Sequence, residues 1–110
     1  GDLQWLIDLY GIAVEKFPDD DWIIRSKALL HLRAGQLAKA KGIYKDLCLR
    51  MGEKYYIWSE FADCWKDTRV KIALLCKALS LEKNEDFIGK IRLELARLLI
   101  KAKKYVLMLK

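Results

Sequence analysis

Residues 31–47 read HLRAGQLAKAKGIYKDL, and the fold turns on what Gly35 does inside an otherwise continuous helical pattern. Glycine can take the left-handed conformation of a helix terminus at little steric cost. Two residues later Leu37 restarts the apolar periodicity, and Ala40 puts a small side chain where a second helix would cross the first. The stretch therefore predicts a helical hairpin: one helix over about 21–34, a turn at Gly35, and a second helix from Leu37 to Met51, with Gly52 as its stop.

Working outward, Leu3, Leu6, Ile7, Tyr10, Val14 and Phe17 recur at helical spacing and predict a first helix over about 2–17. Trp5, Leu9 and Ile12 add a second apolar flank, which suggests a helix lying between neighbours. Pro18 ends it, and the run Asp19–Asp20–Asp21 supplies a cap and first-turn negative charge for the next helix. Beyond Gly52 a fourth helix is expected from Tyr55 to about Lys66. A fifth, capped by Asp67 or Thr68, carries VKIALLCKALSL. A loop over Glu82–Asp86, with Asn84 or Asp86 as cap, leads to a sixth, FIGKIRLELARLLIKA. Tyr105–Met108 reads as the start of a seventh element. The chain is thus all-α, and connections this short make successive helices antiparallel.

A period appears once the helices are aligned. Ala28, Ala62 and Ala96 stand 34 residues apart, each inside the first helix of a pair, where a close crossing needs a small side chain. A helix–turn–helix unit with this period resembles the tetratricopeptide repeat. In residues 21–54, Ile24, Ala28, Gly35, Leu37, Ala40, Tyr44 and Leu47 fall on that family's apolar, small, turn-glycine and aromatic positions. Tyr10, Ala13 and Pro18 match the end of a preceding half repeat over 1–20. Trp58, Phe61, Ala62 and Trp65 match a repeat over 55–88, and Leu95, Ala96, Leu99 and Tyr105 a partial repeat over 89–110. Lys27 and His31 depart from the pattern. So does the second unit, which lacks a turn glycine and has its turn shortened at Asp67–Thr68–Arg69. The resemblance implies one helical-repeat domain over residues 1–110, an α-solenoid of antiparallel pairs with a right-handed superhelix. Because helical patterns run to both ends, it is expected to be part of a larger protein. Separately, YYIWSE together with LLCKALSLEKNEDFIGKIRLELARLLI is similar to the helical-repeat segment of bacterial TOTE-type conflict-system proteins, where such repeats accompany nucleic-acid modules.

Charge is unevenly spread. The net +6 arises wholly from residues 88–110, where seven cations face Glu94 alone; residues 1–87 balance at fourteen of each sign. Such asymmetry bears on partners and not on fold. No apolar run reaches the ~18 residues needed to span a bilayer, so no membrane role is expected. Cys48, Cys64 and Cys76 show no C-x-x-C spacing and read as buried thiols of a reducing, cytoplasmic compartment.

Catalytic chemistry has little to stand on. There is one histidine, no H-E-x-x-H, no serine–histidine–acid set and no glycine-rich phosphate loop, so neither enzyme activity nor cofactor is expected. His31 has no metal-ligand partner at useful spacing and reads as a satisfied core or turn residue. The acidic trio lacks the alternation of a calcium loop, and no metal is assigned.

In the repeat family the first helix of each pair lines a concave groove. Carried across, that face would present Trp22, Arg25, Leu29, Leu32 and Arg33, then Tyr56, Ser59, Asp63 and Lys66, then Lys90, Leu93, Arg97, Ile100 and Lys101. The family's carboxylate clamp is not reproduced: Arg25 and Lys90 match it, but Leu29, Glu60 and Glu94 do not. Helical projection by itself puts Lys90, Arg97, Lys101 and Lys104 on one stripe, with Leu93 and Ile100 beside it and the core stripe Ile91, Leu95, Leu98 and Ala102 largely opposite. Three readings of that stripe stay open: a solvated face, a peptide-binding groove, or a nucleic-acid contact. The leading expectation is a non-catalytic scaffold that binds a protein or peptide segment, or another domain of its own chain. The alternative is a nucleic-acid-associated module of a bacterial conflict-system protein, acting through the C-terminal basic helix. Self-association through open helical ends is a further expectation.

Overall fold

The computed structural model describes residues 2–109, and among them the regular structure is all helix. The order is α1 (Gln4–Lys16), α2 (Asp21–Arg33), α3 (Leu37–Arg50), α4 (Tyr55–Asp63), α5 (Thr68–Leu81) and α6 (Glu85–Met108). The chain divides into two compact units, Gly1–Gly52 with the first three helices and Glu53–Lys110 with the last three.

In the first unit α2 is the middle helix, packed on both α1 and α3. Its start is fixed by Asp20, whose Oδ1 accepts from the backbone N–H of Trp22 (3.0 Å) and of Ile23 (3.2 Å). Asp21 then adds negative charge to the first turn, satisfying otherwise orphaned donors and opposing the helix dipole. The far end is closed by Gly35 at φ 77°. Its N–H donates to Leu32 O (3.1 Å), and the N–H of Gln36 donates to His31 O (2.9 Å). This is the double bond of a Schellman motif. The side chains usually joined there by an apolar contact are joined by a polar one, since His31 Nδ1 lies 2.6 Å from Gln36 Oε1. His31 is only 5% exposed, so this partner satisfies a buried ring nitrogen, as a core or turn histidine requires.

Two contacts fix the helix directions. Gln36, at the end of α2, donates through Nε2 to Gln4 at the start of α1 (3.4 Å). Arg50, at the end of α3, reaches back to the start of α2. Its Nη1 donates to Asp21 Oδ1 (3.2 Å) and to Pro18 O (3.3 Å), while Nε meets Asp46 (3.0 Å). Neighbouring helices are therefore antiparallel. Ile7, Ile24, Ala28, Ala40, Tyr44 and Leu47 are buried, with Ala28 and Ala40 fully so. Small residues at the crossing let the backbones approach closely.

The second unit solves the same turn without glycine. Helix α4 stops at Asp63, three residues before the expected Lys66, in bonds of the tighter 3₁₀ kind: Cys64 N–H to Phe61 O (3.0 Å) and Trp65 N–H to Ala62 O (3.1 Å). Lys71, one turn into α5, donates its ammonium to Ala62 O (3.0 Å), a cation at the negative end of a helix. Asp67 caps α5 by accepting from Arg69 N–H, and Asn84 caps α6 by accepting from Asp86 N–H. Helix α5 is the middle helix here, packed on both α4 and α6. Tyr55 at the start of α4 stacks on Phe87 at the start of α6, so these two run in one direction on α5. Ala62, Leu75 and Leu98 form a buried cluster, with Ile72, Leu74, Ile91 and Leu95 packed against it.

Several expectations are corrected. Tyr105–Met108 is no separate element: nothing between Ala102 and Tyr105 breaks a helix, so α6 continues to Met108. Helix α3 ends where expected to within one residue, at Arg50 with Met51 as its C-cap, and Gly35 is the one described glycine with positive φ. Ala96 is exposed, whereas Ala28 and Ala62 are buried. The cause is geometric, because α6 meets α5 through Ile88, Ile91, Leu95 and Leu98, and a rotation of 100° per residue carries Ala96 to the side away from α5. The flank Trp5–Leu9–Ile12 of α1 is also exposed, at 61%, 52% and 54%. Of the cysteines, Cys64 is buried and Cys48 half-buried, but Cys76 is exposed on the side of α5 away from Leu75 and Ala78.

Two glycine substitutions should move stability in opposite directions. Gly35→Ala forces a side chain into the left-handed region and should lower unfolding free energy by about 1 kcal/mol. Gly42→Ala, in an exposed stretch of α3 where an added Cβ meets nothing within 4 Å, should raise it by about 0.5–1 kcal/mol. Urea denaturation of both variants checks the signs.

Candidate functional site

The residues expected to line a groove fall into three sets, one on each of α2, α4 and α6. On α2, Trp22 is 57% exposed and Arg33 is exposed, while Arg25, Leu29 and Leu32 are half-buried. Leu29 and Arg33 border a small cleft shared with Leu6 and Tyr10 of α1. On α4, Tyr56 stands edge-on to Tyr55 with ring centroids 5.4 Å apart. The Ser59 hydroxyl donates to Tyr56 O (3.1 Å), which occupies its hydrogen on its own helix. Lys66 lies in the turn after α4 and not on the helix.

The third set is the coherent one. Lys90, Leu93, Arg97, Ile100 and Lys101 are all exposed on α6, and a hundred-degree projection gathers them with Lys104 on one flank. Leu93 is 64% exposed and Ile100 55%. Arg97, Ile100, Lys101 and Lys104 border a shallow depression with Glu94, Tyr105 and Met108. Arg97 contacts Glu94 on the same helix, and Arg92 contacts Glu85. Among the described residues Lys90, Lys101 and Lys104 form no ion pair. The flank therefore offers cationic heads around apolar side chains, all carried by one rigid helix.

Between α4 and α6 the character changes. One end is aromatic, with Tyr55 and Phe87 stacked at 6.5 Å and 5° between planes. Trp58 sits under the Lys77 ammonium at 5.5 Å. At the other end Asp63 is partly desolvated and senses Glu94 and Glu60, all of which push its carboxyl above the usual range, while Lys71 opposes the shift. Sequence reasoning missed this acidic end, since the proximity of Asp63 to Glu94 depends on α4 and α6 sharing α5. It also missed Phe87, which precedes the apolar positions of the repeat pattern. The 3–4 spacing Leu93, Ala96, Ile100, Lys103, Leu107 was legible as a second seam on α6, had the whole of Glu85–Met108 been read as one helix.

The thiols carry no reactive constellation. Burial pushes the Cys48 thiol up to about 11, which leaves little thiolate near neutral pH. No group of three or more His, Cys, Asp or Glu side chains is placed to hold a metal among the described residues. None of the described helices is long and apolar enough to cross a membrane.

A family described as a domain of unknown function, DUF7017, matches residues 21–107, more than three quarters of the chain and the whole of α2 to α5. The chain belongs to that family. No curated protein and no solved structure matches it.

Two outcomes test this chemistry. Because the folded pKa of Asp63 lies above its unfolded value, its ionisation costs stability as pH rises through the folded value. Asp63→Asn should therefore raise the melting temperature at pH 7, and the gain should vanish below the ordinary carboxylate pKa of about 3.9; melting curves across pH measure it. Alkylation of the native chain at pH 8 should modify Cys76 first, with Cys48 and Cys64 reacting only on unfolding, as peptide mass mapping would show.

Proposed function

We propose that this member of the DUF7017 family is a non-catalytic interaction scaffold, a tetratricopeptide-like α-solenoid whose basic, partly apolar α6 flank holds an acidic protein segment. The observation that carries the reading is the pairing of exposed Leu93 and Ile100 with Lys90, Arg97, Lys101 and Lys104 on one helix. Apolar side chains at this level of exposure gain by burial, about 25 cal/mol per Å² removed from water. The cations around them select a segment that carries acidic residues beside its own apolar ones. The sequential antiparallel pairing within each unit supports the repeat-like architecture, in which such a helix face is a docking surface. Three free thiols suit a reducing, cytoplasmic setting.

A nucleic-acid contact would use the same cations, but stacking platforms of the single-strand kind need aromatic faces along the stripe. Tyr105 is the one aromatic side chain on this part of α6.

The test uses a labelled peptide with glutamate and leucine at alternate positions. It should bind the wild-type chain, and Arg97→Glu with Lys101→Glu should weaken it by about tenfold or more at unchanged helicity. Equal binding by the two proteins would remove the reading. Tight binding of single-stranded RNA in place of the peptide, collapsing with added salt, would favour the nucleic-acid alternative.

A further inference from the structure

The outer face of α6 is a continuous seam. Gly89, Leu93, Ala96, Ile100, Lys103 and Leu107 follow alternating steps of four and three residues, and all are exposed. Leu107 is 57% exposed. Such spacing keeps one edge of a helix facing a partner helix over several turns. One border of the seam is uniformly cationic, with Lys90, Arg97 and Lys104 each one position beyond a small or polar seam residue. Two antiparallel copies of α6 paired through this seam would set cations against cations, and a parallel pair would set Arg92 against Arg97 and leave Lys104 facing Leu99, so the seam has no charge complement in itself.

Helix α1 carries the complement. Trp5, Leu9, Ile12 and Lys16 take the same four–three steps on its side away from the core residue Ile7, and the three apolar ones are more than half exposed. The border of this seam holds Asp8 and Glu15, both exposed. Size is complementary as well as charge: the α1 seam is large where the α6 seam has Gly89 and Ala96.

We propose that α6 of one molecule docks α1 of a second copy, head to tail, as a parallel two-helix seam. Setting Leu9 beside Leu93 places Trp5 against Gly89, Ile12 against Ala96 and Lys16 beside Ile100. In the same register Asp8 faces Arg97, and Glu15 faces Lys104, by the border rule of paired heptads. Each molecule has one face of each kind, so the contact is heterologous. The inference rests on the scaffold reading and names the acidic segment that the basic flank receives.

Sedimentation of the full chain from low to several hundred micromolar tests it. The wild type should rise from the 12.9 kDa monomer to twice that mass or beyond, less so at high salt. Leu9→Asp with Ile12→Asp, and Leu93→Asp with Ile100→Asp, alter exposed positions and should each leave a folded monomer by circular dichroism. Mixed in equal amounts they should form a one-to-one dimer, because each retains the face that the other lacks. Asp8→Lys with Glu15→Lys should abolish self-association, and mixing with Arg97→Glu, Lys104→Glu chains should restore it. A wild type that stays monomeric at every concentration overturns the proposal, as does an α1-face variant that still self-associates. The glutamate–leucine peptide separates the two readings: its binding to a strictly monomeric chain leaves the scaffold standing and removes self-docking, and no binding with no association removes both.

Discussion

The close crossing of antiparallel helices at small side chains is the constraint on which each unit depends. Ala28 and Ala40 are fully buried, and the helices that carry them are joined by three residues, Ala34–Gln36. With so short a link, α2 and α3 must pack against each other while α1 covers the other side of α2, and alanine sets how near α2 and α3 come. A larger side chain at either position would separate the backbones or force strained rotamers, at a cost of about 1–3 kcal/mol. The polar details reinforce this packing. Arg50 ties the end of α3 to the start of α2, and His31 and Gln36 satisfy one another where the chain reverses. Ala62 occupies the corresponding place in α4, although the turn that follows is closed by a lysine ammonium and 3₁₀ bonds in place of a left-handed glycine.

Much of this was legible in the sequence because the signals are local. The caps Asp20, Asp67 and Asn84, the stop at Gly35 and the apolar stripes each reflect a backbone requirement met within a few residues. The alanine period was legible twice and misleading once. Ala28 and Ala62 each stand seven residues after a helix begins, but α6 begins early, at Glu85, and meets α5 through other residues, so Ala96 lies outside. Spacing along a chain fixes an angle around a helix, and which angle is buried depends on the helix that lies alongside. The same limit explains Trp5, Leu9 and Ile12, whose apolar character suggested a buried flank. It also explains why the neighbourhood of Asp63, Glu60 and Glu94 was not legible: it arises from two helices brought onto a third.

The surface residues follow a different logic from the core. The cations of the last third of the chain lie along α6 beside Leu93 and Ile100, and α1 bears exposed apolar residues with acids at their border. Both leave apolar side chains exposed to water, and the charges beside them are opposite in sign. The fold thus sets two stable cores at α2 and α5 and leaves its first and last helices with faces of complementary chemistry.

Hydrogen exchange resolved along the chain, compared at low and at high protein concentration, tests this division most directly. The account predicts that α2 and α5 are the most protected segments at both concentrations, and that protection of α1 and of α6 through Met108 increases as concentration rises. Protection in α1 and α6 that is independent of concentration, or weaker protection in α2 and α5 than in the outer helices, would contradict it.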